Sequence, residues 1–329
     1  MPERAMVPYS RPAFLALAIA LCAALPPPAA ARPADGAALA TSADDRSQHE
    51  GAGALLRLQV LLDRARFSPG EIDALAGSNQ QRALRGFQQA RGLPVTGNAD
   101  AATWQALEQD TAPVLVDYTL TAADIEGPYA RLPDDIMEQS KLDKLGYASL
   151  PEALGERFHA SPALLGQLNP GIAQARPGTV LKVPAVATDP LPKAARLVVD
   201  RSDSVLRLLD GEGRVFAQYP ASSGSEHDPL PLGEWNIVAV APDPTFHYNP
   251  DLFWDADPSH GKAKLAPGPN NPVGTVWIDL SKPHYGIHGT PEPSGVGKRQ
   301  SHGCIRLTNW DVAAVAAAID TRTLVTLQE

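Results

Sequence analysis

Residues 284–306 read HYGIHGTPEPSGVGKRQSHGCIR. This stretch collects His284, His288 and His302, two arginines (Arg299 and Arg306), a run of glycines, and Cys304. Acyl transfer by cysteine needs a thiolate, a base within hydrogen-bond reach and donors for a tetrahedral oxyanion. Cys304 follows Ser301-His302-Gly303, and Gly303, without a Cβ, lets the chain turn sharply and a carbonyl approach the thiol. The N–H groups of Gly303 and Cys304 are then candidate oxyanion donors. His288 falls at a predicted strand end, and the loop of glycine and proline after it can return the chain to Cys304. A neighbouring imidazolium is expected to lower the thiol pKa.

The rest of the chain fits a secreted protein. Its 329 residues allow two or three domains, and its apolar content of 44% is that of a globular protein. The net charge of −9 offers no basic patch to follow phosphates, so nucleic acid is not an expected partner. Residues 1–31 read as a signal peptide: Arg4 and Arg11, the apolar run from Ala13 to Leu25, three prolines, then Ala29-Ala30-Ala31 as a cleavage site. Removing it would take away Cys22 and leave Cys304 alone. A lone cysteine in an exported protein points to a reactive thiol or an intermolecular disulfide, and the polar, histidine-flanked surroundings favour the thiol.

Residues 32–51, rich in Ala, Asp, Ser and Gly, read as a flexible tether. From 52 to 109 the spacing predicts a small helical module. Leu55, Leu58, Leu62 and Ala65 form one stripe, and Ala83, Phe87 and Ala90 another. Ser68-Pro69-Gly70-Glu71 is expected to open a further helix as a capping box, and Asp100 to cap a last short one. Residues 110–145 read as a connecting segment with one alternating run, Val114 to Leu120. Residues 146–186 combine a cap at Ser149, a helix with Leu150, Leu154 and Phe158, a second at Ser161-Pro162, a turn at Asn169-Pro170-Gly171, and a strand around Val180-Val183. After a linker, 194–329 reads as mainly β, a barrel or sandwich, with a final helix capped by Asn309.

The motifs carry three resemblances. LQVLLDRARFSPGEID…ALRGFQQARGLPVTGNADAATWQAL resembles the three-helix peptidoglycan-binding domain. LNPG followed by PGTVLKVP resembles a LysM module. IHGT…SHGCIRL, with PLPLGEWNI and APGPNNPVGTVWI upstream, resembles the YkuD-like L,D-transpeptidase catalytic domain over 194–329. The fold class expected is therefore multidomain: a three-helix unit, a small α+β unit and a mainly-β catalytic domain.

The last resemblance implies Cys304 as nucleophile and His288 as base. It implies that His302 shapes the oxyanion loop with Gly303, and that Arg306 binds a substrate carboxylate or holds the loop. Ser301, Gly289 and Tyr285 are the remaining candidates for lining the substrate site. Some members carry a serine after the base histidine, which they orient through a backbone carbonyl; Gly289 stands there here, so the third member of the triad is expected to be a backbone group. The implied substrate is a peptidoglycan tetrapeptide stem, held as a thioester after release of D-alanine. An amine acceptor, from a second stem or an outer-membrane lipoprotein, would complete transfer; water would give carboxypeptidase trimming instead. Carbapenems are the implied inhibitors, no cofactor is implied, and a wall-associated place in the Gram-negative periplasm is expected.

Two rivals compete. His284, His288, His302 and Cys304 could bind zinc, but if 284–288 is a strand, His284 and His288 lie roughly 13 Å apart at about 3.3 Å per residue, too far for one ion. The other rival is a wall-binding protein with an inert β domain, for which a lone cysteine would be a small buried hydrophobe.

Overall fold

A computed structural model describes residues 51–329 apart from 187, 188 and 302. The expected leader over 1–31 and most of the tether after it lie outside the described residues. Among those described, no helix is long and apolar enough to cross a membrane.

Three helices open the structure: α1 Ala52–Arg64, α2 Ser78–Ala90 and α3 Ala101–Leu107, the last capped by Asp100 as the sequence predicts. Leu58, Leu61, Leu62, Phe67, Leu84, Phe87 and Trp104 form their shared core. Gln88, fully buried, holds the α2–α3 loop: its Oε1 accepts from the N–H groups of Thr96 and Gly97, and its Nε2 donates to the Asn98 carbonyl and Thr103 Oγ1. Four satisfied bonds on one buried amide fix the turn between α2 and α3. No helix starts at Ser68. Its hydroxyl accepts from Gly70 N and donates to Asp311 far along the chain. The backbone there is already paired outward: Phe67 bridges Gln218, and Ile72 bridges Ala160.

The next unit is a pair of strands with helices between them. β1 (Leu115–Thr119) pairs antiparallel with β2 (Val180–Pro184). Between them come α4 (Ala122–Glu126), α5 (Ile136–Gln139), α6 (Leu150–Arg157) and α7 (Pro162–Leu168). The segment 110–145 is thus more than a connector. It supplies the strand that 146–186 lacks, because Val114, Leu115, Leu120 and Ile125 bury themselves with Leu154, Leu165 and Val183. Ser149 caps α6 by accepting from Glu152 N, as expected.

The remaining elements are β3 (Arg196–Asp200), β4 (Val205–Leu209), β5 (Val215–Pro220), β6 (Ser222–Ser223), β7 (Gly233–Pro242), β8 (Phe246–Tyr248), β9 (Ala263–Leu265), β10 (Val276–Leu280), β11 (Gly286–His288), β12 (Ile305–Arg306), α8 (Asn309–Ala318) and β13 (Leu324–Gln328). Nine strands form one mixed sheet in the order β5-β4-β3-β13-β7-β10-β11-β12-β6, and β8 pairs with β9 apart from it. Two neighbouring pairs are parallel, β13 with β3 and β11 with β12. Leu197, Val199, Leu206, Leu208, Ile278, Ile287, Ile305 and Val325 share one core with Val312 and Val315 of α8. The cap of α8 is Thr308, whose hydroxyl accepts from Asp311 N, and not Asn309, which becomes the first helical residue. That frees the Asn309 side chain for contacts described below.

The three units are docked by polar side chains. Gln218 lies under Gly86 of α2 and donates to the Arg82 carbonyl. His159, following α6, pairs with Asp63 of α1 at 2.8 Å and stacks on Trp310 of α8 at 5.3 Å between ring centres. His159 thus joins all three units.

Candidate active site

His288 ends β11 and is almost wholly buried. Its Nδ1 lies 2.7 Å from the Gly289 carbonyl. A carbonyl only accepts, so Nδ1 carries the proton and Nε2 is the free base. This carbonyl is the candidate for the backbone group expected as third member of the triad. Gly289, expected to line the substrate site, instead orients the imidazole. Trp277, opposite His288 in the β10–β11 register, stacks on it at 5.4 Å with the planes 17° apart. Gly286 leaves room for that indole, since a Cβ there would come within 2.5 Å of the ring. Burial pushes the His288 pKa down to about 4, against the raising effect of the Gly289 bond.

Cys304 immediately precedes β12. The parallel register, Ile287 with Ile305 and His288 with Arg306, brings it alongside β11 two residues before the level of His288. Its Sγ lies 3.7 Å from the His284 carbonyl. Burial pushes the thiol pKa up, with the Gly286 N–H and the Arg306 guanidinium pulling back. The expectation of a thiol acidified by an imidazolium finds no support here: burial disfavours both the thiolate and the imidazolium, and desolvation outweighs what the neighbouring groups return.

The loop before Cys304 is pinned. Buried Ser301 accepts from Gly224 N and donates to the Cys304 carbonyl. Ser301, expected as a substrate contact, has its hydroxyl committed to the backbone of Gly224 and Cys304. Gly303 has φ +95°, a conformation that favours glycine, and a Cβ on it would meet the Tyr285 ring at 2.9 Å. Tyr285 thus packs on the turn, with Lys282 over its ring at 4.8 Å. Arg306 stands beside His288 and close enough to favour the Cys304 thiolate. His302 lies outside the described residues.

The strand begins at Gly286, so the extended span invoked from the sequence for His284 does not hold. His284 sits in the preceding turn at φ +66°. The Nδ1 of His288 is already committed to Gly289.

Behind the site lies an arrangement that the sequence did not signal. Asn309 is buried. Its Oδ1 accepts from Thr275 N at 3.1 Å; its Nδ2 donates to the Pro269 carbonyl at 3.1 Å and to Glu156 Oε1 of α6 at 2.6 Å. A Cβ built on either Gly274 or Gly289 would fall 2.1 Å from that Oδ1. Burial lifts the Glu156 carboxyl to about 7, with the Asn309 bond opposing.

The family model described as "L,D-transpeptidase catalytic domain" matches residues 194–327, and "Putative peptidoglycan binding domain" matches 53–107. "Putative L,D-transpeptidase YkuD" of Bacillus licheniformis is 31% identical over 179 residues, covering 54% of this chain and 92% of that protein. Its namesake in Bacillus subtilis is 31% identical over 171 residues, covering 52% and 88%. Among solved structures, the L,D-transpeptidase (residues 123–326) from Xylanimonas cellulosilytica aligns over 83% of this chain and 92% of that one, at 16% identity and a TM-score of 0.35. The chain belongs to the L,D-transpeptidase family with the YkuD catalytic domain, and carries a peptidoglycan-binding domain ahead of it.

Proposed function

We propose that this protein is a peptidoglycan L,D-transpeptidase acting through Cys304 and His288. The observation that carries the reading is the imidazole fixed by Gly289 with Nε2 as free base, on the strand hydrogen-bonded to the one that follows Cys304. As Cys304 Sγ bonds to the carbonyl carbon of the L,D bond in a tetrapeptide stem, its proton passes to His288 Nε2. The N–H groups of Gly303 and Cys304 receive the oxyanion. Collapse breaks the C–N bond, and His288 returns the proton to the departing D-alanine amine. The stem remains as a thioester. An acceptor amine then attacks, loses its proton to Nε2, and displaces Cys304, which leaves as thiolate and is reprotonated. Starting from a neutral pair costs no ion-pair desolvation in the ground state, and charge develops only as the bond forms.

Arg306 suits a stem carboxylate, as a guanidinium fork does. The peptidoglycan-binding domain supports a place at the wall, with a stem amine as acceptor and an exported, periplasmic location as parts of the same reading.

The test is intact-protein mass spectrometry with a carbapenem. Wild type should gain one adduct, Cys304→Ala none, and His288→Ala an adduct formed on the order of a hundredfold more slowly. A folded wild type that gains no adduct and cross-links no tetrapeptide stems sinks the proposal.

A further inference from the structure

We propose that Asn309, and through it Glu156 of the neighbouring unit closed by β1 and β2, are positioning residues for the base: they fix the Gly289 peptide whose carbonyl orients His288. The inference rests on the reaction proposed for Cys304 and His288.

The need for a clamp follows from Gly289 itself. Its carbonyl direction is set by rotation about its own Cα–C bond, and glycine restrains that rotation least of all residues. If the carbonyl swings away, Nδ1 loses its acceptor, the tautomer with Nε2 free is no longer favoured, and the base is lost. The amide end of Gly289 is held by its N–H bond to the Val276 carbonyl. The Cα side is held by Asn309, whose Oδ1 is wedged between Gly274 and Gly289 where neither has a Cβ. That wedge is in turn fixed by three hydrogen bonds, and the shortest, 2.6 Å, is donated by Asn309 Nδ2 to Glu156 Oε1.

The chain of contacts therefore runs from α6 to Asn309, to the Gly289 peptide, to Nδ1 of His288. With its carboxyl lifted to about 7, Glu156 accepts this bond as a neutral acid below that pH and as a charge-assisted carboxylate above it. Glu156 also lines the large cavity, about 830 Å³, between α6, the 123–147 segment and the start of α8, together with Asn309 and Trp310. The residue that clamps the base thus sits where the second unit meets the catalytic domain.

A simple interface contact would stabilise docking without touching the chemistry. The two are separated with the full chain and a carbapenem as probe, measuring the acylation rate of Cys304 from pH 4 to 9 and the His288 Nδ1–H resonance by NMR. Glu156→Ala should acylate on the order of tenfold more slowly than wild type with unchanged affinity for the β-lactam, and its Nδ1–H signal should broaden by exchange. Glu156→Gln, which keeps an Oε1 acceptor for Asn309, should recover most of that loss. Asn309→Ala should lose more than Glu156→Ala; if it fails to fold, Glu156→Ala carries the test. A folded Glu156→Ala that acylates at the wild-type rate with an intact Nδ1–H signal overturns the proposal. So does Glu156→Gln being as slow as Glu156→Ala, since charge and not the clamp would then matter. Wild type acylating normally in either case leaves the proposed function standing; wild type failing to acylate is a failure of that function instead.

Discussion

The side-chain oxygen of Asn309 stands where a Cβ on Gly289 would have to go, 2.1 Å from it. This explains why glycine follows the base histidine here, although its φ is not of the left-handed kind: the space is taken. Gly289→Ala must displace Asn309 or the Gly289 peptide. We expect a loss of about 1–3 kcal/mol in stability from overpacking and a fall in acylation rate of tenfold or more as the carbonyl moves off Nδ1. Thermal unfolding and the rate of carbapenem adduct formation, measured on the same preparation, check both.

The neutral resting pair fixes the pH response of the reaction. His288 is held down to about 4 and Cys304 up, both by burial. The imidazole is therefore available as a base from just above pH 4, not from about 6.5 as for an unperturbed histidine. The acid limb of the acylation profile should fall near pH 4. Direct alkylation by iodoacetamide, which needs preformed thiolate, should be slow at pH 7 and still rising above pH 9. An acid limb near 6.5 with fast alkylation at pH 7 would contradict this assignment.

The junction of the three units predicts a loss of stability as pH rises. Burial lifts Glu156 and Asp311 each to about 7. Both are ordinarily near 4 when unfolded. Between those values the folded state holds more protons, so stability falls as pH climbs through the window from about 4 to 7. His159, raised despite its burial by Asp63 beside it, acts in the same direction: its contribution is present below about 6.5 and lost as pH rises through its folded value. Asp311→Asn keeps an acceptor for Ser68 but no proton to lose. Its Tm should decline less than that of wild type between pH 5 and 7, each kcal/mol corresponding to about 2–4 °C for a domain of this size. Parallel declines would refute the role given to Asp311.

Gly86 offers a test of docking in which the sign is informative. A glycine inside a helix replaced by alanine ordinarily gains up to about 1 kcal/mol. On α2 the added Cβ would fall 2.6 Å from the amide of Gln218, which is buried and bonded both to the Arg82 carbonyl and to Arg207 Nε. Moving that amide breaks two buried hydrogen bonds at about 1 kcal/mol each, more if a group is left unpaired. Gly86→Ala should therefore destabilise the full chain, as read by denaturant unfolding or by faster proteolysis between the units. A stabilised variant would show that the helical unit does not depend on this contact.

Much of the architecture was legible because it is local. Asp100 and Ser149 cap the helices they precede. The Asp210-Gly211-Glu212-Gly213 turn joins β4 to β5, and 286–288 is a strand, because turn chemistry and alternation act over a few residues. The local reading failed where distant groups compete. Ser68-Pro69-Gly70-Glu71 has the pattern of a helix start, but Asp311 and Gln218 claim its hydroxyl and backbone. Asn309 has the chemistry of a cap, but Thr308 takes that place and Asn309 turns to Glu156.

By itself the sequence carried the order of the peptidoglycan-binding and catalytic domains, and through its motifs the expectation that Cys304 and His288 act together with a backbone third partner. Only the tertiary structure brought the Gly289 carbonyl to His288 Nδ1, buried His288 and Cys304, and set Asn309 against Gly289. Desolvation and close packing depend on what surrounds a group in space: Trp277, Asn309 and Glu156 reach the site from 11, 21 and 132 residues away from His288 along the chain, and no local pattern carries that distance.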